Sequence, residues 1–186
     1  MPSGDVEQRL ITAGVELLAE AGTDALSLRE IARRAGVSHG APRRYFPTHQ
    51  ALLAAIARQG YRRLATVIEE TIGDHAHEPR TALMMLGRRY VAFARDEPGM
   101  FALMFRHDLL RGNNIGLRQE STPLFGVLVD LLRQAHRARP TETAAALWAA
   151  LHGIAQLWHW GTLQVVTGFD TPEPLLEAAV DAHLGA

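Results

Sequence analysis

The sequence predicts an all-α protein, a small helix-turn-helix head followed by a helical body, with about nine helices in all. Three observations carry this. Nearly every segment of the 186 residues has apolar residues at helical spacing, and none shows the alternation of a half-buried strand. Helix starts and stops are marked by capping residues and by glycines. The charge is unevenly spread as well. All 19 basic residues are arginine, and positions 29, 33, 34, 43, 44, 58, 62 and 63 fall in one stretch with a single acid, Glu30. A formal net charge of −1 therefore conceals a basic head on an acidic body, which is the footprint of polyanion binding or of a solvated arginine-rich surface.

Composition removes several classes of chemistry. There is no cysteine, which excludes disulfides, thiolate zinc sites and cysteine nucleophiles. No apolar run approaches the roughly 18 residues needed to span a membrane, and no charged-then-apolar leader opens the chain. The expected location is the cytoplasm, with no membrane partner.

The first helix is expected from about Asp5 to Glu20, with Leu10, Gly14, Leu17, Leu18 and Ala21 on one face and Gly22 closing it. "SLRE" reads as a capping box, in which Ser27 accepts from the Glu30 amide and Glu30 reaches back. Leu28, Ile31, Ala32 and Ala35 then form a short stripe that stops at Gly36. A long fourth helix is expected from Thr48, its N-cap, to Gly73. The fifth runs from Arg80 to about Glu97, with Leu83, Leu86, Tyr90 and Phe93 inward. "PGMFALMFR" is a short sixth helix, and "HDLLRGNNIG" a loop. Leu117 to Arg137 resumes the pattern, with Pro123 in its first turn or kinking it. Thr141 is expected to cap a helix reaching about Val166, and Thr171 with Pro172 to open a last one to about Leu184. The 141–166 segment is apolar on almost every side and carries three tryptophans, so a partner subunit is the economical way to cover it.

Between the second and fourth helices lies "AGVSHGAPRRYF". Gly36 supplies a turn conformation that other residues adopt only at a cost. Ser38 is expected to cap a helix barely two turns long, with Pro42 in its first turn. Gly40 would let the helix approach a phosphate backbone. Arg43 and Arg44, on neighbouring positions, could reach a base edge and a phosphate, since the arginine fork donates two parallel hydrogen bonds to guanine. A plain helical hairpin with a polar corner is the other reading.

The stretch "LSLREIARRAGVSHGAPRRYFPTHQALLAAIA" resembles the DNA-binding region of the TetR family of bacterial transcriptional regulators, through Ile31-Ala32, Ala35-Gly36-Val37-Ser38, Tyr45-Phe46 and Leu52. The resemblance implies a homodimer with DNA-binding heads (1–47) and a body (48–186) for ligand binding and dimerisation. It implies that Ser27, Ser38, Gly40, Arg43, Arg44 and Tyr45 face double-stranded operator DNA, while Phe46 packs inside the head. Arg29, His39, Pro42 and His49 complete the candidate DNA contacts. There are departures: His39, Arg43 and His49-Gln50 stand where the family commonly has lysine, tyrosine and Lys-Glu. Operator preference therefore does not transfer from other members.

In the body, "LWAALHGIAQLW" resembles the Trp-(three residues)-His-Gly (WHG) signature of one C-terminal subgroup, through Trp148, His152 and Gly153. Met100, Phe101, Met104, Phe105, Trp148 and His152 are candidates to line a site for a small apolar or aromatic effector, with Arg89 as an anchor for an acidic one. The same stripes also read as ordinary core. A ligand wedged among the sixth, seventh and eighth helices would move the fourth and respace the heads. Ala145, Ala149, Trp160, Leu175, Leu176 and Ala179 are the candidate dimer contacts. The expected function is a transcriptional regulator, a repressor by family resemblance.

Rival readings have identifiable tests. "HAHEP" offers His75, His77 and Glu78, but alternate loop residues have no fixed metal geometry, and His152 and His159 lie two turns apart. There is no G-x-S-x-G, phosphate loop or H-E-x-x-H. Neither catalysis nor a metal or cofactor is expected. A helical module for other proteins, or a DNA-binding regulator without a small-molecule effector, are the alternatives.

Overall fold

The computed structural model describes residues 3–73, 77–106 and 116–185. Among these the chain forms ten α-helices, one 3-10 turn and no strand. The helices are α1 (Ser3–Ala21), α2 (Leu28–Arg34), α3 (Pro42–Tyr45), α4 (His49–Ile72) and α5 (Pro79–Asp96). They continue with α6 (Pro98–Met104), α7 (Leu117–Gln134), α8 (Pro140–His159), α9 (Thr162–Thr167) and α10 (Glu173–Leu184). His75 and residues 107–115 of the loop expected at 107–116 lie outside the described residues. No described helix is long and apolar enough to cross a membrane. Packing divides the chain into two units, Met1–Arg62 with Glu97–Glu120, and Arg63–Asp96 with Ser121–Ala186.

In the first unit α1 packs against α2, α3 and α6. Leu10, Leu17 and Leu18 of α1 are buried, as are Ile31 and Ala32 of α2, Phe46, and Leu52 and Ile56 of α4. Each fully buried Leu or Ile contributes about 1.5–3 kcal/mol relative to exposure. The short α6 contributes Met100, Phe101, Leu103 and Met104 to this core, all buried. The Tyr61 hydroxyl donates to the Met104 carbonyl at 2.8 Å, and burial pushes its pKa up to about 12. Phe105 packs edge-on against both Tyr61 and Phe101. At the entrance to α7, Glu120 accepts from Arg58 at 3.2 Å and from Arg62 at 3.0 Å.

In the second unit α5, α8 and α10 pack on one another, and α9 lies on α8. Ala144, Leu147, Leu151 and Ala155 form the buried stripe of α8. Gly87 makes close packing possible: a Cβ there would stand 3.2 Å from Leu151 and 3.4 Å from Leu176. Leu176 is fully buried within this unit, which removes it from the candidate dimer contacts.

Several element boundaries differ from expectation, each for a local reason. The helix expected over 141–166 is broken after Trp160, where Gly161 adopts φ 75 and splits it into α8 and α9. Thr141 lies inside α8, because Pro140 with its fixed φ already occupies the first position. Thr171 likewise gives way to Pro172, which precedes α10. Pro123 sits inside α7, past the first turn, so the interior one of its two expected places is the one it takes. That helix closes with the Arg137 N–H donating to Leu132 at 3.1 Å and the His136 N–H to Arg133 at 3.0 Å. His136 thereby stands at φ 57, the left-handed region where glycine is usual. His136→Gly should therefore raise stability by about 0.5–1 kcal/mol. An unchanged or lowered midpoint in urea unfolding would contradict that expectation.

Candidate nucleic-acid interface

The interface is built from the end of α2 onward. Ser27 caps α2, its hydroxyl accepting from the Glu30 amide at 3.2 Å. The expected return bond is replaced: the Ser27 amide donates to Ala25 at 2.8 Å, and the Glu30 carboxylate holds Arg33 instead. At its C-terminus α2 closes with the Val37 N–H on the Ala32 carbonyl, 3.0 Å, and the Gly36 N–H on Arg33, 3.2 Å. Gly36 adopts φ 65, so the expected turn glycine is in place.

The reading helix starts later than expected. Ser38 does not cap it with its side chain; its carbonyl accepts from Ala41 at 2.9 Å in a tight turn, and α3 opens at Pro42. Proline has no N–H to donate back to Ser38, so the α-helical ladder cannot begin at that carbonyl. Pro42 is buried, and so works as an anchor of α3 rather than as an exposed contact. Ser38, His39, Gly40, Arg43 and Arg44 are exposed, and Tyr45 is half-buried. Thr48 caps α4 through the Ala51 amide at 3.0 Å. His49 is half-buried, with Nε2 on the Leu26 carbonyl, so part of its hydrogen-bonding capacity is spent inside the head.

Seven of the eight clustered arginines separate into two groups. Arg33 is held by Glu30, and Arg34 by both Glu16 (2.9 Å) and Glu20. These bonds hold the Glu20 and Glu30 carboxyls below their usual range and raise both guanidinium pKa values. Arg58 and Arg62 share Glu120. Among the described residues Arg29, Arg43 and Arg44 have no carboxylate partner, and all three are exposed beside or within the helix-turn-helix. The carboxylates engaging Arg34, Arg58 and Arg62 come from distant sequence, so local charge counting could not separate the groups.

The expected effector residues fall in both units. Met100, Phe101, Met104 and Phe105 belong to the first. In the second, the Trp148 indole N–H donates to the Tyr90 hydroxyl at 3.2 Å, which lies 2.9 Å from His152 Nδ1. Phe125 packs edge-on to Trp148 at 6.4 Å between ring centres. Tyr90 was visible in sequence only as an inward position of α5, and Phe125 gave no signal. Arg89 is exposed on α5. Among the described residues no three His, Asp or Glu side chains gather as a metal site.

Burial pushes the His152 imidazole below its ordinary value. Its neutral form is thus favoured by folding, so the unfolded chain binds the extra proton first as pH falls. The stabilisation is complete above the unfolded value of about 6.5 and is lost as pH drops from there through the folded value. An NMR titration of the His152 ring should give a midpoint below about 6.5. His152→Gln should also reduce the loss of melting temperature between about pH 7 and pH 5. A midpoint above the ordinary value would overturn the assignment.

Comparisons with known proteins agree with this architecture. A family model described as "Bacterial regulatory proteins, tetR family" matches residues 10–56, and one described as "Tetracyclin repressor-like, C-terminal domain" matches residues 83–183. The HTH-type transcriptional repressor Rv3405c of Mycobacterium tuberculosis is 28% identical over 176 residues, 91% of this chain and 82% of that protein. A solved protein of unknown function from Rhodococcus sp. RHA1 is 28% identical with a TM-score of 0.79, over 96% of this chain and 93% of the other. The multidrug binding protein EbrR, solved with imidazole, shares the fold at 23% identity and a TM-score of 0.68, covering 96% and 89% of the two chains. With a capped α2, a left-handed glycine turn and a short arginine-bearing α3 in its matched N-terminal region, the chain belongs to the TetR family of bacterial transcriptional regulators.

Proposed function

We propose that the protein is a homodimeric, sequence-specific repressor whose grip on operator DNA is weakened by a small apolar or aromatic effector. The observation that carries the DNA part is the pairing pattern of the arginines. Among the described residues no carboxylate compensates Arg29, Arg43 or Arg44 at the helix-turn-helix, while Arg33 and Arg34 beside them are neutralised. Phosphates and guanine edges are the groups such exposed guanidinium forks recognise. Repression is proposed from the likeness to Rv3405c, which is described as a repressor.

Dimerisation is supported by uncovered apolar surface. Trp160, Val165 and Val166 are 63%, 85% and 70% exposed, and Ala145, Trp148 and Ala149 of α8 are exposed as well. Leu175 and Ala179 of α10 are half-exposed and remain candidate contacts. Large apolar side chains left exposed on two neighbouring helices are the kind of surface a partner subunit would cover. Two heads joined in a homodimer can read half-sites one helical turn, about 34–36 Å, apart. The effector reading is supported by the Trp148, Phe125, Tyr90 and His152 cluster, which offers ring faces and polar tips together. An effector releases DNA only as far as it prefers the conformation with misplaced heads.

The test is binding of the native protein to the DNA flanking its own gene, titrated over salt, with its mass in solution measured by light scattering. A dimer whose log affinity falls linearly with log salt, and which an aromatic compound releases, is the expected result. A monomer that binds only non-specifically would sink the proposal. The same apolar patch could serve a different protein, and a stable homodimer would remove that reading.

A further inference from the structure

We propose that Arg9, on α1, is a positioning residue for DNA reading, fixing the turn that aims α3. The inference rests on DNA reading by α3. Arg9 Nη2 donates to the Ala35 carbonyl, and also to the Gly36 carbonyl at 3.3 Å. The carbonyls of Ile31, Ala32 and Arg33 already accept from Ala35, Val37 and Gly36. Arg9 takes the carbonyls of Ala35 and Gly36 just beyond them, at the negative end of the α2 dipole, where a cation is favoured. Among the described residues no carboxylate engages Arg9, so its charge is directed at these carbonyls.

The turn needs such an anchor because α3 is only four residues long and has no side-chain cap. A helix this short is not held by its own ladder. Its direction is set from outside, by buried Phe46 at its C-terminal end and by buried Pro42 and the Gly36–Ser38 turn on its N-terminal side. Gly36 carries a matching constraint: beyond its φ of 65, a Cβ there would stand 3.2 Å from Arg9 Nη2. The contact spans 26 residues of sequence, so no local pattern announces it. Arg34, by contrast, is tied to α1 through exposed Glu16 and Glu20, which solvent screens.

The test uses the full-length protein, with a duplex enriched by the native protein from a random-sequence pool and a scrambled duplex as control. Arg9→Met keeps the stem and removes the donors. It should lower affinity for the enriched duplex about tenfold, the scale of one lost base contact. Affinity for the scrambled duplex and the salt slope should stay native, because no phosphate contact is removed. Arg9→Lys, which restores a charged donor, should recover binding to within about threefold. Without DNA, Arg9→Met should speed hydrogen exchange at the Gly36 and Val37 amides while leaving Leu52–Ile56 protected. Native affinity in Arg9→Met overturns the proposal. So does a shallower salt slope, which would make Arg9 a phosphate contact, or faster exchange throughout the head, which would make it a general stabiliser. If no duplex is enriched, DNA reading itself fails, and the exchange result alone decides whether Arg9 holds the turn.

Discussion

Replacing Arg43 and Arg44 together by alanine should abolish sequence-selective DNA binding while leaving the fold intact. Both side chains are exposed on α3, and neither has a described protein partner, so their removal leaves no buried group unsatisfied. Surface changes of this kind stay within about 0.5 kcal/mol of native stability. The expected loss in binding is larger, roughly 2–5 kcal/mol for the pair, from about 1–3 kcal/mol per specific arginine contact with less than full additivity between neighbours. The single variants separate the roles. One that reads a base should flatten preference between duplexes at constant salt slope. One that holds a phosphate should weaken all duplexes and reduce the slope by about 0.9. Arg33→Ala is the control, because its guanidinium is already held by Glu30 and should matter little. Selective binding by the double variant would remove α3 as the reading element.

Much of the head was legible because its chemistry is local. Ser27 and Thr48 cap, Gly36 turns and Phe46 is buried, all features that act within a few residues. The fold class followed from periodicity in the same way. The misplacements also trace to single residues. Ser38 looked like a cap, but the missing N–H of Pro42 moves the start of α3 past it. Gly161 looked like an interior glycine in a long apolar helix, yet its left-handed conformation splits α8 from α9.

Long-range information was not legible. Which arginines remain uncompensated depends on Glu16, Glu20 and Glu120, and the hold on the turn depends on Arg9. Periodicity marked Leu176 as apolar without saying which surface it meets, and it meets Gly87 of its own chain. The Met100 and Met104 stripe was ambiguous for the same reason. Both residues pack over Gly60, where a Cβ would come within 2.7 Å of their side chains.

That close packing sets up a second large effect, at Gly99. A Cβ on Gly99 would stand 2.6 Å from the Leu18 carbonyl oxygen and 3.3 Å from Leu18 Cγ. The obstacle is backbone, and it is fixed: this carbonyl accepts from the Gly22 amide at 3.0 Å in the closing turn of α1. Gly99→Ala must therefore push α6 away from α1. The shift would loosen Met100, Phe101, Leu103 and Met104, all buried, and strain the Tyr61 bond to the Met104 carbonyl. Overpacking of this kind costs roughly 2–3 kcal/mol. Gly60→Ala offers the contrast, since its Cβ would meet the Met100 and Met104 thioethers, which can rotate aside. There the gain in helix propensity, about 0.8–1 kcal/mol, offsets much of the crowding. Urea unfolding of the two variants should therefore separate them, with Gly99→Ala far the less stable. Equal midpoints would mean that α6 is free to move off α1, and that the contact between them is not what holds the first unit together.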